Sequence, residues 1–124
     1  MKKFIVFILT CIVCISCDKG STTKLIITNT TAGNISCFFY TMNDVDSLTI
    51  NKESSKEFKV FTYLVENVPV FKMNYDSIKI IENNNTVKMM YPDSTSSYKS
   101  MYNKDNWIFK DNKKGMYTYT YIFN

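Results

Sequence analysis

Neither arginine nor histidine occurs anywhere in this 124-residue chain. Their absence removes the usual general base near neutral pH, the commonest metal ligand and the bidentate clamp for phosphate together. No internal disulfide is expected in the folded region either. Of the 4 cysteines, Cys11, Cys14 and Cys17 crowd into the first seventeen residues, and Cys37 is the one thiol left for the rest of the chain. A metal centre built from Cys11 and Cys14 fails on chemistry, because both sit in an apolar run and no histidine completes a mixed site. The sequence therefore implies no metal and no cofactor. Catalysis would fall to Lys, Asp, Glu, Ser, Tyr or Cys37. The pair Glu57 and Glu66 has the chemistry for glycoside hydrolysis, but nothing in its spacing sets two carboxylates across a cleft. The expectation is a protein that is not an enzyme, with no catalytic residue to name, and Cys37, within Ile35-Ser36-Cys37-Phe38-Phe39, reads as a buried structural cysteine.

What is present is concentrated first at the N-terminus. Met1-Lys2-Lys3 precedes an uncharged run from Phe4 to Val13, the charged and hydrophobic regions of a signal peptide, too short for a stable membrane span. It ends in Cys14-Ile15-Ser16-Cys17, a small residue directly before a cysteine. This resembles the lipobox of bacterial lipoproteins, in which the cysteine is diacylated and becomes the first residue of the mature protein. The resemblance implies that residues 1–16 are a helical signal peptide and that Cys17 carries acyl chains. It departs from the usual pattern in having Cys14 where leucine is expected. Each buried methylene contributes about 0.8 kcal/mol, so a diacylglycerol plus a third chain holds the protein at a membrane. Residues 17–23, with Asp18-Lys19-Gly20-Ser21-Thr22-Thr23, have the composition of a short tether. Residues 24–124 are then a single domain.

Without Lys2 and Lys3, 13 of the 15 lysines remain against 11 acidic residues, a net charge of +2. The lysines are scattered rather than striped, which is no footprint for nucleic acid.

Beyond residue 24, runs of β-branched and aromatic residues alternate with Asn, Asp, Gly and Ser clusters about every ten residues, the signature of an all-β fold. Strands are expected at 24–29, 35–42, 47–51, 76–82, 86–91, 107–110 and 116–123, with a Ser-rich loop from Pro92 to Met101. The segment 54–68 is ambiguous. Phe58, Phe61, Leu64, Val65 and Val68 share a helical face after the capping-box spacing of Ser54 and Glu57, yet the residue types favour a strand, and a strand is the reading taken. The expected fold is an antiparallel β-sandwich of about seven strands, similar to immunoglobulin-like or transthyretin-like sandwiches.

Two features suggest function. In the final strand Tyr117, Tyr119, Tyr121 and Phe123 alternate onto one face. Exposed, these rings and Trp107 would form a strip on which sugars stack; buried, they are core, and burial is the stronger expectation for rings of this size. The triplets Asp46-Ser47-Leu48, Asp76-Ser77-Ile78 and Asp93-Ser94-Thr95 resemble the acceptor pattern by which Bacteroidota O-glycosylate exported proteins, making Ser47, Ser77 and Ser94 candidate acceptors. Asp-Ser is also ordinary turn chemistry at the start of a strand. The sequons at Asn29, Asn34 and Asn84 are set aside, since the lipobox points to a bacterial envelope.

Lipobox and triplets together make the chain look like one of the small lipoproteins of Bacteroidota. The resemblance implies a cell-envelope protein on the outer membrane, facing the periplasm or the surface, partnered with the membrane through Cys17. The functional expectation is non-catalytic binding of a glycan or an envelope protein at the membrane face. The alternative is an inhibitor or immunity lipoprotein that blocks a hydrolase or toxin, with the loop from Pro92 to Met101 as its contact. The sequence leaves the oligomeric state open.

Overall fold

The computed structural model describes residues 20–65, 67–94 and 99–124, with residues 86, 87 and 94 described in their backbone alone. The expected signal peptide, the lipobox-like segment and Cys17 lie outside the described residues, as does Glu66.

Eight strands form two four-stranded sheets. They are β1 (Ser21–Asn29), β2 (Ile35–Tyr40), β3 (Val45–Ile50), β4 (Ser54–Tyr63), β5 (Ser77–Glu82), β6 (Asn85–Met90), β7 (Ile108–Asp111) and β8 (Met116–Phe123). One sheet runs β4-β1-β8-β7 and the other β3-β2-β5-β6. The protein is thus a β-sandwich, as expected, with one departure: β1 and β8 pair in parallel, from Thr22↔Met116 to Asn29↔Phe123. All other pairs are antiparallel. The second sheet has the order in which strands C′, C, F and G run in an immunoglobulin-like sandwich, and the parallel β1–β8 pair sets the first sheet apart from that pattern.

Alternation builds the core. Along β1 every second residue is buried, and Leu25, Ile27, Cys37, Phe39, Ile50 and Ile78 lose all contact with solvent. Each buried aliphatic or aromatic side chain contributes about 1.5–3 kcal/mol. Phe39 stacks on Phe58 with ring centroids 4.2 Å apart, and Phe71 meets Trp107 and Tyr119 edge-on at 5.3 Å.

The ambiguous segment is β4, and its ambiguity has a physical cause. Leu25 pairs with Lys59 but Ile26 pairs with Glu57, so Phe58 is an extra residue, a β-bulge. The bulge shifts the alternation by one, and Phe58 and Phe61 both pack on the core. Two inward residues three apart read as a helical face in the sequence.

Part of the expected tether is strand. Ser21, Thr22 and Thr23 belong to β1, and Ser21 and Thr23 are buried. Their hydroxyls are satisfied across the fold: Ser21 Oγ donates to the Val68 carbonyl at 3.0 Å, and Thr23 Oγ1 accepts from the Val70 amide at 3.0 Å. These small polar residues look like linker until their partners are seen.

Because β1 enters at Gly20, the sandwich has two distinct ends. At the entry end lie the β2–β3 turn, the residues after β4 and the β7–β8 turn. The Gly115 carbonyl accepts from the Thr22 amide at 2.8 Å there. At the far end, Asn29 is fully buried and bonds to Gly33, Ile50 and Asn51, joining the β1–β2 and β3–β4 turns.

Candidate functional site

The aromatic row of β8 faces inward. Tyr117, Tyr119 and Tyr121 are 6%, 1% and 2% exposed, and Trp107 is 4% exposed. The alternation seen in the sequence is real, and it belongs to the core; the residues of the expected stacking strip offer no face to a sugar. Buried polar tips need partners, and they have them: Trp107 Nε1 donates to the Met101 carbonyl at 2.9 Å, and Tyr121 Oη to the Lys99 carbonyl at 2.5 Å.

The Ser-rich loop is less free than its composition implies. Pro92–Ser94 is a turn of 3-10 helix, residues 95–98 lie outside the described residues, and Ser100 and Met101 are buried. Asn106 Nδ2 donates to the Ser100 carbonyl at 2.9 Å, and the Met101 amide lies 3.4 Å from the Met90 sulfur. The end of this loop is part of the core.

Of the candidate acceptors, Ser47 is exposed on β3, at the edge of its sheet. Ser77 is half-buried at the start of β5, a central strand opposite Tyr40. The Ser94 side chain lies outside the described residues. Asn29, in the first N-linked sequon, is 0% exposed, which closes it to any modifying enzyme.

Two concave regions among the described residues bring chemistry together. A cleft where β3 meets β4 holds Thr41, Asp46, Lys59, Phe61, Lys72, Asn74 and Tyr75. The bulge at Phe58 turns Lys59 towards it, and Asp46 Oδ2 accepts from Tyr75 Oη at 2.9 Å and from Lys59 Nζ at 3.4 Å. The Lys59 ammonium sits 5.6 Å from the centroid of the Tyr75 ring and 5.9 Å from that of Phe58. The Tyr75 hydrogen bond and Lys59 hold the Asp46 carboxyl below its ordinary range, and Tyr75, followed by Asp46, holds the Lys59 ammonium above its own. Burial pushes the Tyr75 phenol up. At neutral pH the cluster is therefore carboxylate, ammonium and phenol. None of the three is poised to take a proton or attack as a nucleophile. Its work is to fasten the edge of one sheet to the edge of the other.

The remaining reactive groups point the same way. Burial pushes the Cys37 thiol up to about 12, so it is no nucleophile. Glu57 pairs with Lys24 at 2.8 Å across β1 and β4, with both side chains a little under half exposed.

The second region is an apolar pocket between the sheets towards the far end. Its walls are Ile35, Ile80, Met90, Tyr121 and Phe123, with a volume of about 130 Å³. Glu82, Lys88 and Lys99 add charge at its margin. Small-molecule sites usually have about 300–1,000 Å³. This pocket has room for one apolar side chain. Sequence reasoning missed it, because its walls come from four strands and only the folded pairing brings them together.

Among the described residues no three Cys, Asp or Glu gather where they would hold a metal ion, and no helix is long and apolar enough to cross a membrane. Comparison of the chain with models of protein families, with curated proteins and with solved structures finds no match, so the reading of its function rests on this chemistry alone.

Proposed function

We propose that the chain is a lipid-anchored, non-catalytic lipoprotein of a bacterial envelope that binds a protein partner at the membrane face. Support for the anchor comes from the sequence Cys14-Ile15-Ser16-Cys17 after a short apolar run. The choice of a protein over a glycan is carried by one observation: the tyrosine rings of β8 and Trp107, which a sugar would need to stack on, are buried, while the concave apolar surface is the size of a single side chain. Interfaces concentrate their affinity in such an anchor, one apolar side chain in a desolvated pocket with a polar rim. Tethering raises the effective concentration of both partners, so a weak contact suffices. An inhibitor or immunity role is the same binding directed at a hydrolase or toxin, and the apolar pocket serves it better than the loop end at Ser100 and Met101, which is tied into the core.

The test is photocrosslinking in intact cells from position 82 at the pocket margin, with position 110 on β7 as control. A discrete protein adduct from position 82 alone supports the proposal. Adducts only to polysaccharide, or equal adducts from both positions, overturn the choice of partner. Mass analysis of the membrane fraction lacking acyl chains at Cys17 overturns the anchor. Protease shaving of intact cells tells surface from periplasm, and hence where the partner is sought.

A further inference from the structure

The two ends of the sandwich differ in chemistry. At the far end the turns are Thr30-Thr31-Ala32-Gly33-Asn34, Asn51-Lys52-Glu53 and Asn83-Asn84, and none of the large apolar side chains left in solvent belongs to them. At the entry end the reverse holds. Met42 in the β2–β3 turn is 90% exposed and Leu64, just after β4, is 87% exposed. Val45, Val65, Val68 and Met116 are exposed around them.

These residues surround the point where the chain enters. A Cβ on Gly20 would lie 2.5 Å from the Tyr63 carbonyl oxygen and 3.8 Å from the Leu64 Cα, and one on Gly115 would lie 2.9 Å from the Gly20 carbonyl oxygen. Ser21 bonds to Val68, and Met116 pairs with Thr22. Met42 follows β2, whose end pairs with the first residue of β5 and hands its carbonyl to Asp76 at 2.7 Å. Among the described residues at this end, exposed Lys72, Lys113 and Lys114 are matched by exposed Asp44, Asp76 and Asp111.

We infer that this apolar end is a second membrane contact, seated in the interface of the bilayer that holds the anchor, with Met42 and Leu64 reaching deepest. The inference rests on the lipidation of Cys17 proposed above. Two residues, Asp18 and Lys19, lie between Cys17 and Gly20, and three steps of about 3.3–3.6 Å reach no more than about 11 Å. That is the depth over which apolar faces bury at the boundary of headgroups and acyl chains, about 5–10 Å. The tether cannot lift the domain clear of the lipid, and the surface it holds there is the one that gains from leaving water. Because lysines and aspartates balance, apolar side chains rather than charge provide the contact, and it is insensitive to salt and to headgroup charge. A seated domain turns its polar far end and the pocket of Ile35 and Phe123 away from the membrane, towards a partner.

The test uses the mature lipidated protein in phosphatidylcholine vesicles. An environment-sensitive fluorophore is placed at Met42→Cys, at Leu64→Cys and, as the far-end control, at Lys52→Cys; buried Cys37 does not compete for label. All three side chains replaced are exposed, and Trp107 emission checks the fold. The expected result is a blue shift and strong quenching by doxyl-labelled lipids at positions 42 and 64, with neither at position 52, unchanged between 0.1 and 1 M salt, about a threefold change in screening length. Aqueous emission at positions 42 and 64 in a protein that stays with the vesicles and carries acyl chains overturns the seat and leaves the anchor standing. Protein without acyl chains whose labels still report lipid overturns the anchor and leaves the seat. Equal quenching at all three positions overturns the orientation.

Discussion

Asn29 is the side chain on which the far end of the sandwich turns, and replacing it separates this account from one in which the turns hold themselves. Its Nδ2 donates to the carbonyls of Gly33 at 2.7 Å and of Ile50 and Asn51 at 3.2 Å, and its Oδ1 accepts from the Thr31 amide at 2.9 Å and hydroxyl at 2.8 Å. Asn29→Leu keeps the volume and removes every one of these bonds. At about 1–3 kcal/mol for each buried group left without a partner, and with solvent reaching part of the cluster, the expected loss is about 3–5 kcal/mol. That is a large fraction of the roughly 5–15 kcal/mol by which a domain of this size is stable. Asn29→Asp is the sharper perturbation. It keeps the shape and points a carboxylate at three carbonyls, so burial and repulsion raise the new carboxyl's folded-state pKa above its unfolded value of about 3.9. The folded variant then binds a proton more tightly than the unfolded chain. Its deficit is full above the folded pKa and shrinks as pH falls towards the unfolded one. Urea unfolding at pH 8 and pH 4, followed by emission of Trp107, reads both effects. An Asn29→Asp variant within about 1 kcal/mol of the parent at pH 8, or a gap that does not narrow at pH 4, refutes the reasoning, since a single buried hydrogen bond alone is worth that much.

Further expectations follow from other parts of the fold. Cys37, its thiol pushed up to about 12, resists alkylation at pH 8 and reacts only when the chain unfolds, which a thiol assay with and without urea reads directly. The Asp46 carboxyl is held below its ordinary range, so its pairing stabilises the fold above the unfolded pKa and is lost as pH falls through the folded one; Asp46→Asn flattens the acid limb of stability below about pH 4. Tyr119→Ala removes a ring packed against Phe71 and Phe109 and costs about 3–5 kcal/mol in denaturant unfolding, whereas an exposed stacking residue would cost next to nothing. Gly115 has φ of 71° and faces the backbone of Gly20, so Gly115→Ala is destabilised by about 1–3 kcal/mol in thermal melts.

Alternation made most of the fold legible. The eight Met116–Phe123 residues announce a strand with its rings on one side, and the Asn run at 83–85 announces a hairpin. Two things lay hidden for different reasons. The bulge at Phe58 shifts the period inside a strand, so local pattern points to a helix, and only pairing with β1 resolves it. Ser21 and Thr23 look solvated because their partners, Val68 and Val70, lie 47 residues on. The apolar entry end is harder still: Met42, Leu64 and Met116 are unremarkable singly, and they become a surface only through a topology that brings three separate turns to one end. The candidate stacking strip failed for the converse reason, since a row of rings has the same sequence whether it faces water or core.

The parallel pairing of β1 with β8 sets the order in which this molecule can be made. β1 lies inside its sheet, between β4 and β8, and half of its ladder is supplied by residues 116–123. Until those residues emerge, the first strand has an open edge, β7 has no partner, and Trp107 and Phe71 lack the Tyr rings they pack on. Closing that sheet joins segments some ninety residues apart, a long loop whose entropy is spent late in folding. A chain built this way completes its core only after its last strand has been made, so the residues laid down first are among the last to be fixed.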